Sequence, residues 1–379
     1  MNAPDHALRG HAVLSASSAS RWLACPPSAR LNEQMPDEKS VFATEGTLAH
    51  ELAERCLVSG RHAHEVNGDY PHEMRDFVQV YADHVRAIEG ELLIEQRLSF
   101  ETWVQGGFGT CDAVVVGDRR LCVRDFKYGK GLRVFADHNA QLMLYGLAAL
   151  DAYDPIYGPI DTLDLGIVQP RLDHIDIWEI KTSDLLNWAE TVVKPIAALA
   201  YVGKGELAAG EHCQFCLVRH TCRTRAETNL AIARDDMGEW MPPPASMSDV
   251  ELGSLYPKLN ELVRWANDVE AYCLSRAEAG TRFPGLKLVE GRSVRQIDNK
   301  EEAIKLLRSD GFDDYQFLEQ RLVGITALEK LLGKKLFAER LGQFCSKPAG
   351  KPTLVVATDK RPEMDPSQRA AAIAEMTHA

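Results

Sequence analysis

The chain lacks the features on which membrane-spanning and disulfide-stabilised proteins depend. Its apolar runs are all shorter than the roughly 18–20 residues that cross a bilayer. Its first residues, MNAPDHALRGHAVLSASSASRW, contain no apolar signal-peptide core. Nine cysteines among 379 residues are too sparse for a disulfide framework. We therefore expect a cytoplasmic protein, without a membrane partner, whose cysteines bind a metal or are simply buried.

Positive charge is also in short supply, because 43 Lys and Arg residues face 55 Asp and Glu residues, for a net charge of −12. Such a balance argues weakly against nucleic-acid binding. The exception is residues 119–133, where six basic residues accompany one acidic residue. We predict that Arg124, Lys130 and Arg133 contact nucleic acid, although charge alone fits a solvated hairpin tip equally well.

The order of apolar patterns along the chain predicts an α/β protein. Segments with helical periodicity alternate with short runs rich in β-branched and aromatic residues. The predicted helices cover residues 44–58, 73–88, 137–150 and 183–201. The predicted strands cover residues 92–100, 109–116, 121–129, 163–170 and 175–181.

A change in composition divides the chain near its middle. The stretch DDMGEWMPPPASMSD is first acidic and then rich in proline, which interrupts regular structure. We predict a first domain over residues 1–228, a linker over 229–248 and a mainly helical domain over 249–379 with an extended tail. The second domain begins with one long predicted helix at residues 249–280.

The segment GTCDAVVVGDRRLCVRDFKYGK predicts a β-hairpin, because two strand-like runs flank a Gly-Asp turn signal. With Asp118 and Arg119 as the two-residue loop, Val116 pairs with Leu121. This register places Asp112 directly opposite Asp125, where side chains share a face.

Two opposed carboxylates repel each other and destabilise a sheet unless a cation lies between them. Hard cations such as Mg²⁺ prefer carboxylate oxygens. Lys127 lies two residues after Asp125 and projects from the same face, where it can stabilise charge developing on a phosphate. A surface hairpin with scattered charges is the alternative, and a one-residue slip of register would remove the pairing.

Two helices carry further polar residues at helical spacing. In GTLAHELAE, Thr47, His50, Glu51 and Glu54 share the face opposite the apolar stripe. In QLMLYGLAAL, Gln141 and Tyr145 lie four residues apart and also share a face. Alternatively, the first set of residues is simply exposed to solvent, and the second set packs at the edge of the core.

Four motifs, GTLAHELAE, GTCDAVV, VRDFKYGKG and QLMLYGLA, together resemble those of RecB-like nucleases of the PD-(D/E)XK superfamily, in the same order. The resemblance covers residues 15–225 and implies a mixed sheet flanked by helices. It implies that His50, Asp112 and Asp125 bind Mg²⁺ or Mn²⁺ and that Lys127 is catalytic. Gln141 and Tyr145 match the positions that orient the active site or the DNA.

The segment EHCQFCLVRHTC contains Cys213, Cys216 and Cys222, one ligand fewer than a four-cysteine site needs. A branch of the RecB-like nucleases carries a four-iron cluster, with one cysteine before the nuclease core and three after it. The resemblance therefore implies that Cys25, followed by Pro26, is the fourth ligand of a [4Fe–4S] cluster. Structural zinc suits four thiolates equally, and His220 offers a Cys₃His alternative.

The layout also resembles an uncharacterised phage and prophage protein family, through GLKLVEGRSVRQ and KPAGKPTLVVATDKRP. The two resemblances imply a metal-dependent deoxyribonuclease in a bacterial host cell, an exonuclease on single strands or DNA ends that acts in phage replication or recombination. Partner proteins from phage replication or recombination are possible under the same resemblance. A non-catalytic DNA-binding or assembly scaffold is the alternative, and an RNA-directed enzyme is a third.

Overall fold

The computed structural model describes residues 12–35, 41–235, 248–287, 304–305, 308–309 and 333–341. The density of contacts divides the chain into two compact units, Met1–Ser275 and Arg276–Ala379. Residues 236–247 of the expected linker lie outside the described residues, so the boundary at 229–248 stays a prediction. No helix in the described ranges is both long enough and apolar enough to cross a membrane.

The first unit contains a five-stranded sheet and the helices that surround it. The strands β1–β5 are Glu91–Ser99, Phe108–Val116, Arg120–Phe126, Thr162–Gln169 and His174–Lys181. The helices α1–α9 are Ala19–Ala24, Ser28–Glu33, Val41–Ser59, His72–Arg86, Ala140–Tyr157, Thr182–Trp188, Lys194–Tyr201, Arg223–Asp235 and Asp249–Glu278. The strands and helices predicted between residues 44 and 201 are all present, and α5 continues beyond its predicted end.

The sheet is mixed, with the strands in sequential order β1-β2-β3-β4-β5. β3 and β4 are parallel, whereas the other three neighbouring pairs are antiparallel. A parallel pair needs a crossover, and α5 supplies it. The side chain of Asn139 caps α5 by accepting hydrogen bonds from the backbone N–H groups of Gln141 and Leu142.

Helices cover both faces of the sheet, as the α/β prediction requires. On one face, α3 and α4 pack on the sheet in a cluster that includes Leu52, Tyr81 and Phe126. On the other face, α1, α5 and the α6–α7 segment pack in a larger cluster that includes Trp22 and Leu147. The predicted mixed α/β architecture is therefore confirmed.

A buried arginine joins α8 to α9 within the first unit. Arg225 is fully buried, and its guanidinium donates to Glu261 at 2.7 Å and to Asp268 at 2.6 Å. Arg219, just before α8, also donates to Asp268, at 3.0 Å. The middle of the long helix predicted at 249–280 thus contacts the segment around and after Cys222.

The second unit is described only in part. It contains the end of α9, the segment to Lys287 and helix α10, Lys334–Leu341, in which Phe337 is buried. The sequence KPAGKPTLVVATDKRP and most of GLKLVEGRSVRQ lie outside the described residues.

We expect Gly109→Ala to destabilise the protein by roughly 1–3 kcal/mol, because it overpacks the contact between β2 and α5. A Cβ at residue 109 would lie 2.8 Å from Cε1 of Tyr145, which is itself buried. Urea unfolding followed by circular dichroism measures the change. Gly131→Ala is the matched control, since a Cβ there meets no atom within 4 Å. Equal stability of the two variants would contradict this account.

Candidate functional site

The central hairpin has the register that the sequence predicts. Ladder pairs run from Val116↔Leu121 to Ala113↔Arg124. The N–H of Gly117 donates to the carbonyl oxygen of Arg120 at 2.9 Å, which closes the predicted two-residue loop. Asp112 and Asp125 follow immediately beyond the last ladder pair, so the hairpin brings the two carboxylates to one place.

The ladder between β1 and β2 is interrupted at one position. Ile94↔Ala113 and Gln96↔Cys111 are ladder pairs, whereas Glu95, which lies between them, has a left-handed φ of 48°. Cys111 and Val114 pack in the same core cluster, although regular alternation would place them on opposite faces. The strands thus change face here, and the strained conformation of Glu95 lies next to Asp112, as strain often does at functional sites.

His50, Glu95 and Asp112 form a compact group of metal-ligand type. Their ligand atoms all lie within 4.8 Å of one another. Nδ1 of His50, on α3, is 3.1 Å from Oδ1 of Asp112, and Oδ2 of Asp112 accepts from the N–H of Phe126 at 2.6 Å. Carboxylates suit Mg²⁺ and Mn²⁺, so the two carboxylates of the group are ligands of the kind that the predicted metals prefer.

The charges within this group shift the pKa values of its members. Burial would lower the pKa of His50, but the hydrogen bond and charge of Asp112 outweigh burial, and the pKa is raised. Burial and then the Asp112 carboxylate raise the pKa of Glu95 to about 7. A divalent cation would relieve this crowding of negative charge.

Asp125 contacts the second half of the predicted site. Its carboxylate is 4 % exposed, with Oδ2 2.9 Å from Nζ of Lys127 and Oδ1 accepting from Nε2 of Gln141 at 3.1 Å. Nζ of Lys127 donates to Oε1 of Gln141 at 3.2 Å, and Nε2 of Gln141 also donates to the hydroxyl of Tyr145 at 3.3 Å. All six residues predicted to be catalytic therefore lie in two connected groups.

The charges of Asp112, Asp125 and Lys127 couple the two groups. Burial raises the pKa of Asp125, and the nearby charge of Asp112 raises it further, whereas Lys127 opposes both. Burial would lower the pKa of Lys127, but the Asp125 carboxylate outweighs burial, and the pKa is raised. Lys127 is therefore a positively charged ammonium held against a buried carboxylate.

Glu95 is a member of the site that the sequence reasoning missed. A signal was present, because an acidic residue directly follows the apolar residues LLI within a predicted strand. Regular alternation, however, does not predict that Glu95 turns toward Asp112, since a left-handed backbone is unusual for any residue other than glycine. The interruption of β1 could be seen only in the structure.

The cysteines predicted to bind a cluster come from distant parts of the chain. Cys25, Cys213 and Cys216 are buried, and Cys222 is half-buried. Nε2 of His212 is 3.8 Å from Sγ of Cys213, and His212 also hydrogen-bonds to Cys25.

Neighbouring groups favour the thiolate form at this place. Hydrogen bonds that His212 donates to Cys213 and Cys25 raise the pKa of its imidazole to about 10. Burial would raise the pKa of Cys25, but the hydrogen bonds with His212 and with the backbone at Ala208 and Ser28 together outweigh burial, and the pKa is lowered. Nδ2 of Asn32 donates to Sγ of Cys216 at 3.2 Å. Buried thiols with donors around them fit an iron–sulfur cluster, whose sulfur ligands accept hydrogen bonds.

The Cys25 segment is also bonded directly to the later cysteine segment. Nη1 of Arg21 donates to the carbonyl oxygen of Phe215 at 3.0 Å, and Oδ1 of Asn32 accepts from the N–H of Leu217 at 2.7 Å. His220, the sequence-based candidate for a Cys₃His site, stacks on Tyr272 with ring centroids 3.9 Å apart. His212 is therefore the histidine that the structure places against the thiols.

The structure does not support Arg124 as a nucleic-acid contact. Arg124 is 2 % exposed, and its guanidinium donates to the carbonyl oxygen of Asp164 at 2.9 Å and to Nε2 of His84 at 3.1 Å. Gly166 makes room for this side chain, because a Cβ there would lie 2.8 Å from Cδ of Arg124. Because side chains alternate along β3, Arg124 lies beneath α4 and away from solvent.

Other charges of the basic segment are partly neutralised. Arg119 pairs with Asp161 at 2.6 Å, and Arg120 pairs with Asp164. Lys130 is exposed and lies 3.5 Å from Glu73. Arg133 is exposed and stays a candidate contact with nucleic acid, as does Lys130.

A second group of metal-ligand type lies on the surface, where α4 begins. The carboxylate of Asp76 is 2.8 Å from Nε2 of His64 and 3.2 Å from Nδ1 of His72. All three residues are exposed. This group is separate from the hairpin residues and is not needed for the chemistry described here.

Fold and site together define a mixed α/β protein with a candidate divalent-metal centre at its central hairpin. The chain belongs to the family described as protein of unknown function, DUF2800, whose profile matches residues 11–362. The match includes the whole sheet, the candidate metal centre and the four cysteines predicted to bind a cluster.

We expect Glu95→Gln to stabilise the metal-free protein at pH 8. The pKa of Glu95 is raised from its ordinary 4.5 to about 7, so the folded state binds the proton more tightly than the unfolded state. Stability of the wild type therefore falls as pH rises from about 4.5 to about 7, and the variant avoids this loss. The urea midpoint in EDTA should be higher for the variant at pH 8 and equal near pH 4.

Glu89→Gln provides the control, because Glu89 is exposed and lies two residues before β1. This variant retains Glu95, so its urea midpoint should match that of wild type both at pH 8 and near pH 4. A lower midpoint for Glu95→Gln than for wild type at pH 8 would show that the carboxylate is not crowded as described.

Proposed function

We propose that the protein is a metal-dependent nuclease of the RecB-like, PD-(D/E)XK type. One observation carries the proposal: His50, Glu95 and Asp112 converge at the interruption of the β1–β2 ladder, beside the ion pair of buried Asp125 and half-buried Lys127. Carboxylates crowded in this way destabilise a sheet, and a purely structural role would not explain their presence.

His50, Asp112 and Asp125 would hold Mg²⁺ or Mn²⁺, and Glu95 is placed to join them. A bound divalent cation lowers the pKa of water and polarises the phosphoryl oxygen. Lys127 stabilises negative charge that develops on the phosphate. Its ammonium is already oriented by Asp125 and by Oε1 of Gln141.

Gln141 and Tyr145 act as positioning residues in this proposal. Gln141 connects Lys127, Asp125 and Tyr145 through hydrogen bonds of 3.1–3.3 Å. A shift of α5 would therefore move both the lysine and the carboxylate that faces it.

The reaction is hydrolysis of a phosphodiester bond. A water oxygen adds to phosphorus, the bond from phosphorus to the leaving ester oxygen breaks, and the leaving oxygen takes up a proton. The resemblance to RecB-like enzymes favours DNA as substrate, with exonuclease action on single strands or ends, in phage replication or recombination within a bacterial cell.

We expect wild type to degrade end-labelled DNA with Mg²⁺ or Mn²⁺ and Asp125→Asn to be slower by at least about 100-fold. Loss of the charge removes a metal ligand and the partner that holds Lys127. Gel analysis of single- and double-stranded substrates, with protein purified without oxygen, measures the rates and separates exonuclease from endonuclease products.

Asp164→Asn is the matched control, because Asp164 is as buried as Asp125 but lies on β4 against Arg120. It should retain activity as long as it folds. If folded wild type binds DNA but cleaves neither DNA nor RNA with either metal, the non-catalytic scaffold is the better account. Cleavage of RNA alone would favour the RNA-directed enzyme.

We also propose that Cys25, Cys213, Cys216 and Cys222 bind a [4Fe–4S] cluster, with zinc as the alternative metal. The supporting observations are the burial of three thiols and the hydrogen bonds that His212 and Asn32 make to them. Such a cluster would join the segment before the nuclease core to the segment after it.

We expect Cys25→Ala to lose the metal and to lower the thermal stability of the first unit, since metal binding is coupled to folding. Iron and zinc content per chain after anaerobic purification measures the loss. Cys273→Ala, on α9, is the control and should retain the metal. Unchanged metal content in Cys25→Ala would remove Cys25 from the ligand set.

A further inference from the structure

A row of side chains leads away from the candidate metal centre along one face of β1 and β2. Glu95 and Asp112 begin the row, and alternation places Arg97, Thr110 and then Phe108 on the same face. The ladder supports this arrangement, because Arg97 pairs directly with Thr110. Arg97 and Thr110 are exposed, so the row is open to solvent.

The row ends at a cavity of about 400 Å³. Its lining includes Arg97, Ser99, Glu101, Phe108 and Tyr201. The opposite face of the strands is turned to α5, since Gly109 lies against Tyr145 and Leu98 is in the core. Arg97, Ser99 and Phe108 line the cavity from the side of the sheet that carries Asp112, whereas Leu98 and Tyr201 line it from the core on the α5 side.

The chemistry of the cavity suits a flat aromatic group better than a phosphate. The guanidinium carbon of Arg97 lies 4.2 Å from the ring centroid of Phe108, so an aromatic ring and a planar cation are already stacked. Glu101 contributes a carboxylate, which would repel a phosphate. Unpaired bases stack on aromatic rings and on guanidinium planes, whereas paired bases are unable to enter such a site.

The distance along the strand relates the cavity to the metal centre. Phe108 precedes Asp112 by four residues, and a strand rises about 3.4 Å per residue, which gives about 14 Å between them. A single strand with one phosphate at the metal centre can therefore reach the cavity with a base only a few nucleotides away.

We propose that this cavity binds an unpaired nucleobase of single-stranded DNA, against Phe108 and Arg97, while the strand extends along the row from the metal centre. The proposal rests on the nuclease function proposed above, and it makes single-stranded DNA the substrate class. Phe108 is a specificity-determining residue in this view, because it contacts the substrate away from the reacting phosphate.

The test is binding of a short fluorescent DNA single strand to the full chain in EDTA, measured by anisotropy, so that binding is separated from cleavage. We expect Phe108→Ala to raise Kd about 5- to 150-fold, the range that base stacking on an aromatic ring contributes. Phe108→Trp should retain the wild-type Kd, because it keeps a stacking surface.

Phe135→Ala is the matched control, since Phe135 is an exposed aromatic residue that contacts His174 and does not line the cavity. It should leave Kd unchanged. A second substrate, with abasic positions in place of bases, tests the same contact from the DNA side. Wild type should bind it more weakly, and Phe108→Ala should cause little further loss.

The outcomes separate this proposal from the nuclease function. If wild type cleaves DNA while Phe108→Ala binds normal and abasic strands like wild type, the subsite is wrong and the nuclease stands. If wild type binds without cleaving and Phe108→Ala weakens binding, the subsite stands and the nuclease falls. Weakened binding of RNA alone, or equal weakening for duplex DNA, would overturn the single-stranded DNA subsite.

Discussion

Repulsion among three carboxylates, Glu95, Asp112 and Asp125, is the constraint on which the described site depends. Like charges this close and partly buried destabilise a sheet unless other groups compensate them. The structure supplies His50 from α3, Lys127 from the segment after β3 and the N–H of Phe126. Each of these partners also connects a helix or a strand end to the hairpin, so the electrostatics and the fold are linked.

Helices on both faces of the sheet contribute residues to the candidate site. α3 brings His50 from one face, and α5 brings Gln141 from the other. The parallel step from β3 to β4 requires a crossover, and α5 is that crossover, so the chain returns across the sheet next to Asp125. The interruption at Glu95 then turns a carboxylate of β1 toward Asp112.

Much of this arrangement could be predicted from the sequence, because it depends on short-range rules. The Gly117-Asp118 turn set the hairpin register, and helical spacing related Gln141 to Tyr145. Glu95 was missed because its left-handed backbone breaks the alternation on which strand predictions depend. Arg124 was misassigned because charge in the sequence does not reveal which face of a strand lies under a helix.

The net negative charge of the chain affects how it would bind a nucleic acid. Arg119, Arg120 and Lys130 are paired with acidic side chains, so few counterions would be released by contacts with phosphates in this segment. Affinity for a nucleic acid would then depend on a cation bound among the carboxylates and on stacking of bases. Stacking is available only to unpaired bases. A segment neutralised in this way would add little affinity for the phosphates of a duplex, and base stacking would then favour a single strand.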